Sequence, residues 1–230
     1  MDESDFFRFP HTPHLTWLGD GEPRDDKVLA HAEVCNLLAR PVVVEEKLDG
    51  ANLGVSLDAA GNLRLQNRGQ YLHPPYQGQF TRLGAWLPAH TDALFDAIQP
   101  ELLVFGEWCA ARHSLDYDKL PDWWLVFDVY DRTAGQFWST KRRNELAAAH
   151  GLTTAPTLAR GRFTLQELVT MVNDRPSSFR EGPLEGIVVR SEDQDWTATR
   201  AKLVRAEFVQ SIDTHWRTRT LEWNQLARYL

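Results

Sequence analysis

The stretch PVVVEEKLDGAN, Pro41 to Asn52, carries a lysine to the edge of a bend. Its β-branched run and two glutamates, Glu45 and Glu46, read as a strand that Lys47 closes, and Asp49-Gly50 reads as the turn after it. A lysine so placed can be a nucleophile, but only as the free amine. With an ordinary pKa of ~10.4, roughly one such side chain in 10³ is neutral at pH 7. Making it mostly neutral takes a shift of roughly 3 units, about 4 kcal/mol, from desolvation and neighbouring cations. Four further polar elements follow in order: Asn67-Arg68-Gly69, Phe105-Gly106-Glu107, Glu185-Gly186-Ile187-Val188-Val189-Arg190 and Arg200-Ala201-Lys202. Each taken singly is what a strand end meeting solvent looks like. Together they place an arginine, two carboxylates beside glycines and a basic pair in the company of Lys47.

Strands must deliver these groups. Val42 to Lys47, Asn52 to Asp58 and Leu63 to Arg68 form an antiparallel meander with tight turns at Asp49-Gly50 and Gly61-Asn62. Leu102 to Trp108, Trp123 to Tyr130, Ile187 to Arg190 and Ala201 to Arg205 are further strand candidates. Helices are predicted over Lys27 to Leu38, over Gln79 to Ile98 in two pieces broken by Pro88, after a cap at Ser139 or Thr140, and after a cap at Thr164. Residues 1 to 26 read as an extended arm pinned by Phe6, Phe9, Leu15 and Trp17, with His11 and His14 as loop histidines rather than a metal pair. From Ala206 onward the apolar spacing at Phe208, Val209, Ile212, Trp216, Leu221, Trp223 and Leu226 predicts a helical tail. No repeat or linker interrupts the chain, so residues 1–230 read as one α+β domain on a large antiparallel sheet.

Composition narrows the class. With 43% hydrophobic and 25% charged residues, 230 residues can bury a full core, and disordered or fibrous classes are excluded. No apolar run of about 18 residues and no secretory leader is readable, which predicts a cytoplasmic protein without a membrane. Cys35 and Cys109 stand far apart with no zinc spacing, so idle thiols are expected. The net charge of −7 argues against a non-specific polyanion binder. From Trp196 to Leu230, however, six Lys and Arg face three Asp and Glu, so this segment can still meet phosphates locally.

The five elements in this order resemble the covalent nucleotidyltransferase superfamily of polynucleotide ligases and messenger-RNA capping enzymes, in which a Lys-x-Asp-Gly lysine is adenylylated or guanylylated. The likeness runs from about Pro41 to Phe208 and is nearest the ATP-dependent RNA ligase branch, which seals 3′-hydroxyl to 5′-phosphate ends. It implies an α+β nucleotidyltransferase domain, an ATP-grasp-like ligase fold of mainly antiparallel sheets flanked by helices. It also implies ATP and Mg2+ or Mn2+ as cofactors, and RNA ends or a nicked duplex as partner. Lys47 is then the nucleophile, with Lys202, Arg68 and a divalent metal as the cations that lower its pKa and neutralise the triphosphate. Glu107 and Glu185 are the metal ligands, hard oxygen donors beside small residues that leave room for a hydrated ion.

Glu46, Asp49, Asn52, Arg68 and Arg200 are expected around the nucleotide. Phe127 stands where the family stacks adenine, with an inward core position as its alternative, and Asp128 is ambiguous. Two features depart from the family pattern. Arg200 stands where many relatives have lysine. The 22 residues after Phe208 leave no room for the oligonucleotide-binding barrel that many ligases append, which implies a minimal ligase or a partner protein that presents the substrate. A DNA nick ligase, a capping guanylyltransferase and a non-catalytic module that binds nucleic-acid ends are the alternatives. Lys141-Arg142-Arg143 and the Asp213 to Arg219 stretch could touch phosphates or lie solvated.

Overall fold

The computed structural model describes residues 6–20, 23, 27–211 and 221–227, and for 209–211 the backbone alone. The chain runs α1 (His31–Leu38), β1 (Val42–Lys47), β2 (Ala51–Leu57), β3 (Leu63–Gln66) and β4 (Tyr71–Leu72). A 3-10 turn at Gly78–Phe80 leads to α2 (Leu83–Ala97), β5 (Leu102–Trp108), β6 (Trp124–Asp131), β7 (Gln136–Phe137) and α3 (Thr140–Ala149). Then come β8 (Thr157–Gly161), α4 (Leu165–Asp174), β9 (Gly186–Glu192), β10 (Thr197–Val204) and α5 (Ala206–Ser211).

The strands form two sheets rather than the one large sheet expected. One has the order β10-β9-β1-β8 and the other β4-β3-β2-β5-β6-β7, with every pairing antiparallel. The split falls at the Asp49-Gly50 turn. β1 pairs with β9 and β8, while β2, one turn later, pairs with β5 and β3. Each sheet has its own apolar backing. Val42, Val44, Ile187, Val189, Ala201 and Leu203 pack with Leu37 of α1 and with Leu168 and Val172 of α4. Leu53, Val55, Val104, Trp108, Trp124 and Val126 pack with Leu83, Trp86 and Leu94 of α2. The outer faces are thereby sealed, and the inner faces look at each other.

Local expectations hold where side chains decide them. The Ser139 hydroxyl accepts the Arg142 N–H and caps α3, and Thr164 with Glu167 forms a capping box at α4. They fail where tertiary contacts decide. Lys27 to Ala30 is not helical, because its backbone bonds the arm at His14 instead. Pro88 does not break α2. It removes one early hydrogen bond, whereas a continuous helix keeps Leu83, Trp86, Leu94 and Ala97 in the core. Segment 221–227 is extended rather than helical: Asn224 is buried, its amide bonds the carbonyls of Cys109 and Ala111, and its oxygen accepts the Tyr117 N–H. The arm is pinned as expected, with Phe9 and Leu15 buried and Phe7 stacked on Tyr130. Residues 213–219 lie outside the described residues. No helix among the described residues is long and apolar enough to cross a membrane.

Candidate active site

Strand alternation builds the site. In β1, Val42 and Val44 enter the outer core, so Glu45 and Lys47 take the inner face. By the same period, β9 turns Val188 and Arg190 inward and β10 turns Arg200 and Lys202 inward. From the other sheet come Asn52, Glu107 and Phe127. Between the two inner faces lies a cavity of about 620 Å3, bordered by these residues and by Arg68, Gln79 and His113.

At one side of the cavity Lys47 donates to both carboxylate oxygens of Glu185, at 2.7 Å each. Glu107 borders the cavity and accepts the Gly50 N–H at 3.1 Å, so the turn after Lys47 is tied to β5. Burial pushes the pKa of Glu107 up to about 7, against the pull of Lys47, and Glu185 and Asp49 push the same way. Burial likewise lifts Glu185 to about 7, with Lys47 opposing it. In the ligand-free protein the Lys47 pKa is not depressed. Burial does press the Lys47 pKa down, but Glu185, Glu107 and Asp49 outweigh it and hold the ammonium above its ordinary value. The cation-rich surroundings anticipated for Lys47 are carboxylate-rich in the ligand-free protein.

The glycines beside the two carboxylates serve packing rather than a hydrated ion. A Cβ at Gly106 would run into the Trp124 indole nitrogen, and one at Gly186 into the Leu203 carbonyl of β10. The carboxylates themselves still suit a hard cation. Among the described residues no group of three or more His, Cys, Asp or Glu gathers as a ready-made metal site. Two carboxylates that leave the remaining positions to water and phosphate oxygens fit the way magnesium is usually held.

The other candidates divide by what their side chains already hold. Both amide atoms of Asn52 are buried and have no hydrogen-bond partner in the structure. Since a buried amide without partners costs about 1–3 kcal/mol, Asn52 is a built position for a polar ligand. Phe127 is half-buried on the cavity wall, one edge against Phe9 at 5.3 Å. Arg68, on the β3–β4 turn, is exposed and borders the cavity, as does Lys202. Arg200 sits beneath, 3.2 Å from Asp128 and over the rings of Phe9 and Phe137, and burial lowers its pKa to about 10 although Asp128 opposes the shift. Glu46 is occupied by the Ser177 hydroxyl and the Ser178 N–H, and Asp49 by the N–H groups of Ser114 and Leu115. These two hold loops in place around the site.

Several residues escaped the sequence reading. His113 borders the cavity and pairs through Nε2 with Gln79 at 2.7 Å; burial lowers its pKa, with Asp49 opposing. Only its place in the irregular polar run after β5 could have pointed to it. Tyr117 accepts the Asp49 N–H. Asp128 is resolved as structural: with Glu45, Arg143 and Arg190 it forms a buried ion network that ties β1 and β9 to β6 and α3. Arg143 is thus neither a phosphate contact nor solvated, and Arg142 lies over the rings of Trp138 and Trp196.

The family model for RNA ligase matches residues 40–204. A search of curated proteins finds no match. Among solved structures the chain is similar to Naegleria gruberi RNA ligase with PPi, at 17% identity and a TM-score of 0.65, covering 91% of this chain and 65% of that one. It is similar to a mutant of the same ligase with ATP and Mn, at 16% identity and a TM-score of 0.62, covering 88% and 63%. An archaeal ATP-dependent RNA ligase matches at 18% identity and a TM-score of 0.59, covering 87% and 49%. The chain thus spans about half to two-thirds of the length of these structures.

Proposed function

The chain belongs to the RNA ligase family, and from that premise we propose that it is an ATP-dependent RNA ligase that joins 3′-hydroxyl and 5′-phosphate ends through an adenylate carried on Lys47. The observation that carries this reading is Lys47 in a nucleotide-sized cavity, bound to Glu185, with Glu107 and the unpartnered amide of Asn52 on the same walls.

Lys47 Nζ, held as an ammonium by Glu185 and Glu107 before ATP binds, loses its proton to solvent and reacts as the free amine. The amine then attacks the α-phosphorus of ATP, a P–N bond forms, the bond to the β-phosphate oxygen breaks and pyrophosphate leaves. A 5′-phosphate oxygen of the RNA displaces Lys47 and takes the AMP. The 3′-hydroxyl then attacks that 5′-phosphorus and AMP leaves. Phe127 faces the base, Asn52 the ribose or phosphate, and Arg68, Arg200 and Lys202 offset charge on the phosphates. Glu107 and Glu185 would hold Mg2+ or Mn2+, which when bound supplies positive charge against the polyphosphate and against the carboxylates that keep Lys47 protonated. The solved relatives with ATP and Mn support this pairing. RNA ends in the cytoplasm are the partner in this reading.

Intact mass measurement after incubation with ATP and magnesium is expected to show one added AMP on the protein and none on Lys47→Ala. No adduct with any nucleoside triphosphate would sink the reading.

A further inference from the structure

A second, larger cavity of about 880 Å3 adjoins the one that holds Lys47, between the β3–β4 hairpin and segment 75–80. The two cavities share Asn67, Gln79, Phe80 and His113 in their walls, so the hydrogen-bonded His113–Gln79 pair stands at their boundary. Their chemistry differs. Arg112 and Glu222 are the Lys, Arg, Asp or Glu residues lining the larger cavity, and they pair with each other at 2.7 Å. Little there favours a cluster of phosphates. The wall instead offers aromatic surface at Tyr71, Tyr76 and Phe80, and exposed amides at Gln70 and Gln77. π faces with amide edges are the surroundings that accept a base and a ribose. Its volume falls within the ~300–1,000 Å3 of small-ligand sites.

Tyr71 is already taken up, with Phe6 against its edge and Arg64 over its ring. Tyr76 is half-buried against the core of the six-stranded sheet. We propose, resting on the ligase reading above, that the larger cavity receives the nucleoside nearest the RNA end being sealed. Its base stacks on Tyr76, and its 2′-hydroxyl meets the amides of Gln70 and Gln77. The terminal phosphate then crosses the His113–Gln79 boundary toward Arg68 and Lys47. Each part of the strand end thereby meets matching chemistry, a neutral aromatic wall for the nucleoside and cations for the phosphate.

The test separates strand binding from nucleotide chemistry. Single-turnover sealing of a nicked duplex whose 5′ RNA end is already adenylylated is measured beside lysyl-AMP formation from ATP. Tyr76→Ala is expected to slow sealing by about 10-fold or more and to leave lysyl-AMP formation within about twofold, while Tyr76→Phe seals normally. Gln77→Ala and Gln70→Ala, both exposed and outside the core, are expected to narrow the preference for RNA over DNA at the terminal nucleotide. They carry the test if Tyr76→Ala fails to fold. Fluorescence anisotropy with a labelled 5′-phosphorylated RNA reads the same site without any catalysis. Wild-type sealing and RNA binding in all these variants, or equal binding of the DNA counterpart, overturns the inference and leaves the ligase reading standing. A wild-type protein that forms no lysyl-AMP but binds RNA through Tyr76 would have the opposite meaning.

Discussion

The carboxylates around Lys47 favour its ammonium in the ligand-free protein, which gives the proposed reaction a testable pH dependence. Glu185 holds it as an ammonium by a two-oxygen hydrogen bond, with Glu107 and Asp49 adding to the pull. Lysyl-AMP formation under single-turnover conditions is therefore expected to rise about tenfold per pH unit through the neutral range, as the amine fraction grows. In Glu185→Gln the strongest attraction is gone and burial is left to press the pKa down. The profile should shift toward lower pH while its plateau falls, because Glu185 is also a proposed ligand of the metal. A Glu185→Gln profile that keeps its midpoint would show that Glu185 does not set the lysine's protonation.

At the scale of elements, two devices hold the site open at its proper width. The first is the buried network of Glu45, Arg143, Arg190 and Asp128, which fastens β1 and β9 to β6 and α3 across the gap between the sheets. Removing one member strands buried charge, so Asp128→Ala is expected to lose about 3–5 kcal/mol in urea unfolding. The second is Asn224, whose side chain ties the segment 221–227 to the backbone at Cys109, Ala111 and Tyr117. Asn224→Ala leaves three buried groups short of a partner and is expected to lose roughly 2–3 kcal/mol. Lysyl-AMP formation should fall with it, since the same loop carries His113 on the cavity wall. Unchanged stability would mean that the segment merely rests on the loop.

For the whole molecule, the site is carried at a cost in stability that pH reveals. Glu107 and Glu185 have ordinary values of 4.5 and sit at about 7 in the fold, so between those values the folded chain binds more protons than the unfolded one. Stability from this source is fully present below about pH 4.5 and is lost as pH rises through about 7, on the order of 1–3 kcal/mol per carboxylate. Glu107→Gln is expected to flatten that slope and raise stability near pH 8. A steeper or unchanged slope, from denaturant melts at pH 5, 6, 7 and 8, would count against it. The interlocked sheets should still unfold in one step, because the ion network gives neither sheet a way to open alone.

How much of this was readable beforehand follows from how local each cause is. Lys47, Glu107, Arg200 and Lys202 were nameable from the chain, because each lies on a strand whose alternation can be counted, and period 2 alone sets which side chains share a face. The capped starts of α3 and α4 were equally readable, since a cap is settled within four residues. Other outcomes depend on partners more than 50 residues away. The sheet split at Asp49-Gly50, the extended segment around Asn224, and the capture of Asp128 by Arg190 and of Arg143 by Glu45 in one network are of this kind. So is the protonation of Lys47. The sequence by itself determined that a lysine would stand at the turn after β1, in a chain with acidic and basic companions at strand ends. Only the tertiary structure decided that a carboxylate 138 residues later would reach it first, because a buried charge takes its state from whichever opposite charge the fold brings within hydrogen-bond range.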